Sequence, residues 1–170
     1  MPSGRVVILL ALIMLALAGA CAPVDPGGVA ESRRPGEAVV TRVVDGDTVE
    51  VDIDGRRESV RLIGIDTPEI AHPPDGAECF GPEASAYVHD LLPPGTRVVL
   101  ARDVESRDAY DRLLAYVTRV DDDLLVNLAL VEAGYAEILA IEPNTVHAPL
   151  FAGAEADARA RGVGLWSACT

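Results

Sequence analysis

Lysine is absent from this sequence: its 14 basic residues are all arginine, set against 27 Asp and Glu for a formal net charge of −13. A surface so biased repels polyanions at long range, and screening over about 8 Å at physiological salt leaves only local arginine clusters free to attract them. Tight, non-specific binding of duplex nucleic acid is therefore not expected. A bilayer-spanning run is also missing, since the apolar stretch Val6 to Ala18 has thirteen residues and a membrane helix needs roughly 20. There is no internal repeat and no low-complexity tract. Cysteine is scarce, with Cys21, Cys79 and Cys169 the whole complement. A zinc site built from Cys79, His72 and His89 has no recognised ligand spacing, and these histidines, with His147, read as surface residues.

What is present begins with an export signal. Arg5 supplies a minimal positive region, Val6 to Ala18 the apolar run, and Ala18-Gly19-Ala20 a small-residue cleavage site, so residues 1–20 read as a signal peptide. Cys21 follows at once, and Leu17-Ala18-Gly19-Ala20-Cys21 resembles a bacterial lipoprotein signal, with Ala18 where that signal usually carries Leu, Val or Ile. Cys21 is thus expected to be lipidated, anchoring an exported protein to the membrane at the cell envelope. Simple cleavage after Ala20, giving a secreted protein, is the alternative. Residues 21–37 read as a flexible linker, with three Pro and three Gly between Ala22 and Glu37. Residues 38–170 form the single globular domain, expected to be a monomer. With Cys21 lipidated, Cys79 and Cys169 remain as an even pair in an oxidising setting, which favours one disulfide and leaves two unpaired thiols as the alternative.

Within the domain, Ala38 to Val44 is β-branched, and Thr48 to Asp54 alternates with Val49, Val51 and Ile53 on one face. Asp54-Gly55 is a hairpin turn into a third strand, Arg57 to Ile65. Gly81-Pro82-Glu83 opens a helix through about Leu92, with Tyr87, Val88, Leu91 and Leu92 as its apolar stripe. Thr96 to Val104 and Leu113 to Val120 are further strands, and Asp121-Asp122-Asp123 a solvated turn. Val126 to Ala133 is a short helix stopped by Gly134, and Tyr135 to Ile141 is extended. A last helix, Ala148 to Arg161, starts at Pro149, stops at Gly162 and buries Leu150, Phe151, Ala154 and Ala158, with Trp166 as a core anchor beyond it. Five strands with a helix between the third and fourth is the order of an OB-fold, a Greek-key barrel. The predicted class is α+β, mainly β, with three helices. Such barrels bind ligands on strands 2 and 3 and through the loops joining strands 1–2 and 4–5, which brings Asp45, Asp47, Arg61, Asp66 and Arg112 to one face.

Two stretches concentrate charge at strand ends: Val43-Val44-Asp45-Gly46-Asp47-Thr48-Val49, and Val60 to Glu69, which holds Arg61, Asp66 and Glu69. Taken alone, Thr67-Pro68-Glu69 could simply cap a short helix, and Arg61 could be an outward strand residue. Together they offer hard oxygen ligands suited to Ca²⁺, beside guanidinium groups that grip phosphate oxygens in pairs.

In four segments the sequence resembles the staphylococcal nuclease (thermonuclease) family: Asp45-Gly46-Asp47-Thr48-Val49, Arg61 through Glu69, Gly81-Pro82-Glu83-Ala84-Ser85-Ala86, and Asp108-Ala109-Tyr110-Asp111-Arg112. Asn127 and Gly164-Leu165-Trp166-Ser167 also agree with it. The resemblance implies that Asp47, Asp66 and the Thr67 carbonyl bind Ca²⁺, that Glu69 acts on the attacking water, and that Arg61 and Arg112 hold the phosphate of a nucleic acid, DNA and also RNA. Three departures stand out. Asp111 replaces the usual Gly before Arg112, Leu139 to Glu142 lack the tyrosines that help bind nucleotide, and Ile70 to Ala77 is acidic and Pro-rich where lysines are found. The competing expectations are a non-catalytic OB module at the cell envelope and a calcium-stabilised structural lipoprotein.

Overall fold

A computed structural model describes residues 34–71 and 76–169. The signal peptide, Cys21 and most of the expected linker lie outside the described residues, as does His72. Arg34 to Glu37, expected in the linker, belong to the fold: the Glu37 N–H donates to the Arg34 carbonyl and the Leu100 N–H to the Gly36 carbonyl.

Five strands close a barrel in the order β1 (Glu37–Val43), β2 (Thr48–Ile53), β3 (Arg56–Leu62), β6 (Leu113–Arg119), β5 (Arg97–Ala101), with β5 returning to β1. All pairings are antiparallel except β3 with β6. The period of two puts Val49, Val51, Val60, Leu62, Val98, Ala115 and Val117 inside, where all are buried. The β2–β3 hairpin turns through Asp54 and Gly55, both at positive φ. That pair of left-handed residues matches the right-handed twist of the strands.

The expected third strand does not run unbroken to Ile65. At Gly64 (φ +80) the chain bends, and a Cβ there would lie 2.7 Å from the Phe151 ring. The remainder forms a separate strand, β4 (Gly64–Asp66), which pairs with β7 (Glu137–Leu139) in the segment expected only to be extended. The bend lets the Arg61 and Asp66 side chains meet, because the chain doubles back within five residues.

Helix α1 (Gly81–Leu91) packs Ala84 and Val88 into the core, with Leu92 beyond its end. Helix α2 (Val126–Glu132) is fixed by buried Asn127, whose side chain accepts from the Val117 N–H at 2.8 Å and donates to the Ile63 carbonyl at 2.9 Å. In α3 (Ala148–Arg161), Phe151 and Ala158 are buried, but Leu150 is exposed. Phe151 docks over Gly64 and Tyr116, and Leu150, about 100° around the helix from it, faces solvent. His147 is likewise not a free surface residue, since its ring packs edge-on against Tyr116. A fourth helix, α4 (Leu165–Ala168), adds one turn to the three expected. Trp166 within it is half-buried, lying under the Arg159 guanidinium at 3.8 Å rather than in the core.

Candidate active site

Asp47 leaves the β1–β2 turn and is buried. The turn is closed by its own side chains: the Asp47 N–H donates to Asp45 Oδ1 at 3.1 Å, and Gly46 sits so close to Thr67 that a Cβ would fall 2.4 Å from its hydroxyl. Thr67, also buried, donates to Asp47 Oδ2 from its N–H at 3.2 Å and its hydroxyl at 3.3 Å. Thr48 donates to Oδ1 at 3.1 Å. Arg61, in β3, reaches across the bend. Its Nη1 donates to the carbonyls of Leu62 and Ile65, and its Nη2 lies 2.8 Å from Asp66 Oδ1 and 3.0 Å from Asp47 Oδ2. Asp47, Arg61, Asp66 and Thr67 are thereby brought together.

Glu69 follows on an exposed segment and does not line the cavity that holds the arginines. Partial burial raises its pKa, and the nearby carboxylates Asp45, Asp66 and Glu78 raise it further against the pull of Arg61. Burial likewise pushes Asp47 up to about 6, with Asp45 adding to the push and Arg61 opposing it. Two of these carboxylates, Asp47 and Asp66, pair with the Arg61 guanidinium, and Asp45, Glu69 and Glu78 act on the same group of charges from further off.

Among the described residues no three His, Cys, Asp or Glu converge as a ready-made metal group. The Arg61 guanidinium lies between Asp47 and Asp66 instead. The chemistry of the donor set nevertheless fits Ca²⁺: the carboxylate oxygens of Asp47 and Asp66 and the Thr67 carbonyl are hard ligands of the kind that ion takes.

Arg112 ends the loop before β6. The carboxylate of Asp108 organises that loop, accepting from the Tyr110 and Arg112 N–H groups at 2.9 Å and from Arg112 Nε at 2.7 Å. The two Nη groups of Arg112 make no hydrogen bond among the described residues and remain available. Asp111 adopts φ +65, the left-handed conformation that suits glycine, and its carboxylate faces Arg107 at 3.5 Å, not Arg112. The departure from Gly at this position thus keeps the left-handed backbone and pairs its charge with Arg107 instead of Arg112.

Arg61 and Arg112 line one cavity of about 450 Å³. The cavity is also lined by Leu139, Ile141 and Glu142, the segment without tyrosines, together with Glu105 and exposed Tyr110. Cys79 and Cys169 form a disulfide with a Cα separation of 5.8 Å.

Sequence comparison decides the family. The profile of the family described as staphylococcal nuclease homologue matches residues 59–168. The chain belongs to the staphylococcal nuclease family. The thermonuclease of Staphylococcus intermedius is 38% identical over 128 residues, covering 75% of this chain and 74% of that protein. That of Staphylococcus hyicus is 30% identical over 167 residues, covering 97% and 96%. Endonuclease YncB of Bacillus subtilis is 33% identical over 127 residues, covering 74% of this chain and 59% of the relative.

Two residues of this nuclease-family site escape a sequence reading. Asp108 carries a signal, an acid four residues before Arg112 in a turn. Glu78, whose Oε2 accepts from the Glu69 N–H at 3.0 Å, carries none, since nine residues of loop separate the two.

Proposed function

We propose that this nuclease is a calcium-dependent phosphodiesterase that hydrolyses DNA, and also RNA, with little sequence preference. The observation that carries the reading is the convergence of Arg61, locked between two carboxylates, and Arg112, with both Nη groups available, on one cavity.

Arg61 and Arg112 hold the phosphodiester: the Nη edge of Arg112 is available before the substrate arrives, whereas Arg61 must exchange one of its present Nη partners for a phosphoryl oxygen. Glu69 takes a proton from the attacking water as its oxygen bonds to phosphorus; the opposite phosphorus–oxygen bond breaks and the leaving oxygen takes a proton from solvent. A carboxylate with a raised pKa is the better base near neutral pH. Asp47, Asp66 and the Thr67 carbonyl would hold Ca²⁺, which supplies Lewis-acid stabilisation of the phosphoryl oxygens when bound. Thr48 and Thr67 keep the Asp47 carboxylate oriented.

Export and lipid anchoring belong to the same proposal. The disulfide suits an oxidising compartment, and mass spectrometry of the mature amino terminus, expected to show an acylated Cys21, tests the anchor. Size-exclusion chromatography of the domain is expected to give a monomer. The activity itself is tested by incubating single-stranded and duplex DNA and RNA with Ca²⁺ or with EDTA. Cleavage in calcium alone is expected. Binding without calcium-stimulated cleavage would replace the enzyme with a non-catalytic OB-fold binding module.

A further inference from the structure

Glu69 has an unusual form of support. Its carboxylate makes no hydrogen bond to any other described residue, so its placement depends on its backbone. Both backbone groups of Glu69 are bound by one residue: Glu78 accepts from the Glu69 N–H through Oε2 at 3.0 Å and donates its own N–H to the Glu69 carbonyl at 2.9 Å. Gly81 closes on the same carbonyl, where a Cβ would come within 2.2 Å of the oxygen, and its N–H donates to the Glu78 carbonyl at 3.1 Å. The segment Thr67-Pro68-Glu69 is thus pinned at its front to buried Asp47 and at its back to Glu78.

Glu78 is in turn fixed by its neighbours. Cys79, the next residue, is bonded to Cys169 at the end of α4. That helix is held to the body of the domain by the Leu165 N–H, which donates to the Gly134 carbonyl at 2.8 Å. Phe80 packs its ring 5.1 Å from Tyr135.

We propose that Glu78 is the positioning residue for Glu69, and that the Cys79–Cys169 disulfide holds Glu78 in place, so that the rate of phosphodiester cleavage depends on the oxidation state of this cysteine pair. The inference rests on the reading of Glu69 as the base. A dithiol reductant delivers two electrons and two protons to the bond, leaving two thiols in the protein and a cyclic disulfide in the reductant. Glu78 then loses its covalent tie to the C-terminal helix, and Glu69 its fixed backbone. Misplacement of a reacting group by 1 Å costs about 10²-fold in rate, so a partial loosening is expected to cost about tenfold.

The test compares the wild type, Glu78→Ala, Glu78→Gln, Glu69→Gln and the double variant Cys79→Ser/Cys169→Ser. Amide hydrogen exchange is read at Glu69, and steady-state cleavage on a labelled single-stranded DNA oligonucleotide with calcium. In Glu78→Ala, exchange at Glu69 is expected to quicken about tenfold or more, with kcat down about tenfold and KM within about twofold. Glu78→Gln keeps an acceptor oxygen and is expected to recover most of both. Dithiothreitol on the wild type, and the double cysteine variant, are expected to move exchange and kcat in the same direction while circular dichroism stays native.

Unchanged exchange and kcat in Glu78→Ala, or a Gln variant as slow as Ala, overturns the role of Glu78. A folded, reduced protein with undiminished kcat overturns the role of the disulfide. So does unfolding on reduction at the assay temperature, because the bond then serves global stability rather than the placement of Glu78. Near-wild-type turnover in Glu69→Gln overturns the assignment of the base itself. Where Glu69→Gln is inactive, a neutral Glu78→Ala defeats only the present inference.

Discussion

Replacing Arg61 by Ala separates two jobs that this guanidinium performs. It holds phosphate in the proposed mechanism, and it is also the counter-charge for Asp47, with side-chain exposures of 14% and 8% for the pair. Removing one partner of a buried pair costs about 3–5 kcal/mol. The contact with Asp66 adds little, because that carboxylate is 57% exposed. Thr48 and Thr67 continue to donate to Asp47, which favours the lower end, about 3 kcal/mol, or a fall in Tm of about 10 °C for a domain of this size. The fall should depend on pH. Raised to about 6 from an unfolded value of about 3.9, Asp47 binds its proton more tightly in the folded state. This group therefore favours folding on the acid side of that window and loses the contribution as pH rises through it. A protonated Asp47 needs no counter-charge, so Arg61→Ala should lose less stability at pH 5 than at pH 8. Arg112→Ala is the control: its partner Asp108 lies in a half-exposed loop, so Tm should hold within about 3 °C, in line with the weak worth of exposed pairs. Activity should fall by about 10²–10³-fold, the usual loss for a preorganised electrostatic group. Thermal unfolding in EDTA at both pH values, beside cleavage assays in calcium, makes the comparison. Equal Tm losses in the two variants, or an Arg61→Ala loss independent of pH, would refute the reasoning.

Glu69→Gln should keep the fold and leave substrate binding largely intact while lowering kcat by about two to four decades; single-turnover kinetics with full calcium distinguishes this from a binding defect. Asp47→Asn removes a charged ligand, so its loss of rate should be partly restored as calcium is raised, and a calcium titration showing no recovery argues against Asp47 as a ligand. Binding to a short duplex should be weak, with about two phosphate contacts giving a logarithmic salt slope of about −2. Nanomolar affinity at physiological salt would contradict that expectation.

The barrel was legible in sequence wherever local pattern and tertiary environment agree. Thr48 to Ile53 alternates as a strand and is one, Asp54-Gly55 supplies the left-handed pair its turn requires, and Pro149 and Gly162 bracket α3. The break at Gly64 was not legible, because Val60-Arg61-Leu62-Ile63-Gly64-Ile65 is rich in strand-forming residues and serves equally as one strand or two. What forces the bend is non-local: the Phe151 ring occupies the space a side chain would need, and β7 waits some 70 residues on as the partner for β4. Leu150 and Trp166 fail for the same reason, since an apolar residue is buried only if a neighbour arrives to cover it. The proximity of Asp47, Arg61 and Asp66 follows from strand order, whereas their mutual hydrogen bonding depends on the bend.

The negative charge that argues against a nucleic-acid enzyme takes on another meaning once the ion pairs are traced. Arg61 is tied to Asp47 and Asp66, Arg112 to Asp108, and Arg107 to Glu58 and Asp111. Of the two guanidinium groups lining the cavity, Arg61 has both Nη groups occupied, whereas Arg112 has its Nε edge taken and its Nη edge left available. An excess of acid is therefore compatible with phosphate recognition, provided it fixes the arginines rather than neutralising them at their binding edge. The cost is long-range steering, because the field at a distance is set by the net charge. Recognition in such a protein must come from a few preorganised guanidinium groups acting at contact, which favours transition-state stabilisation over tight ground-state binding.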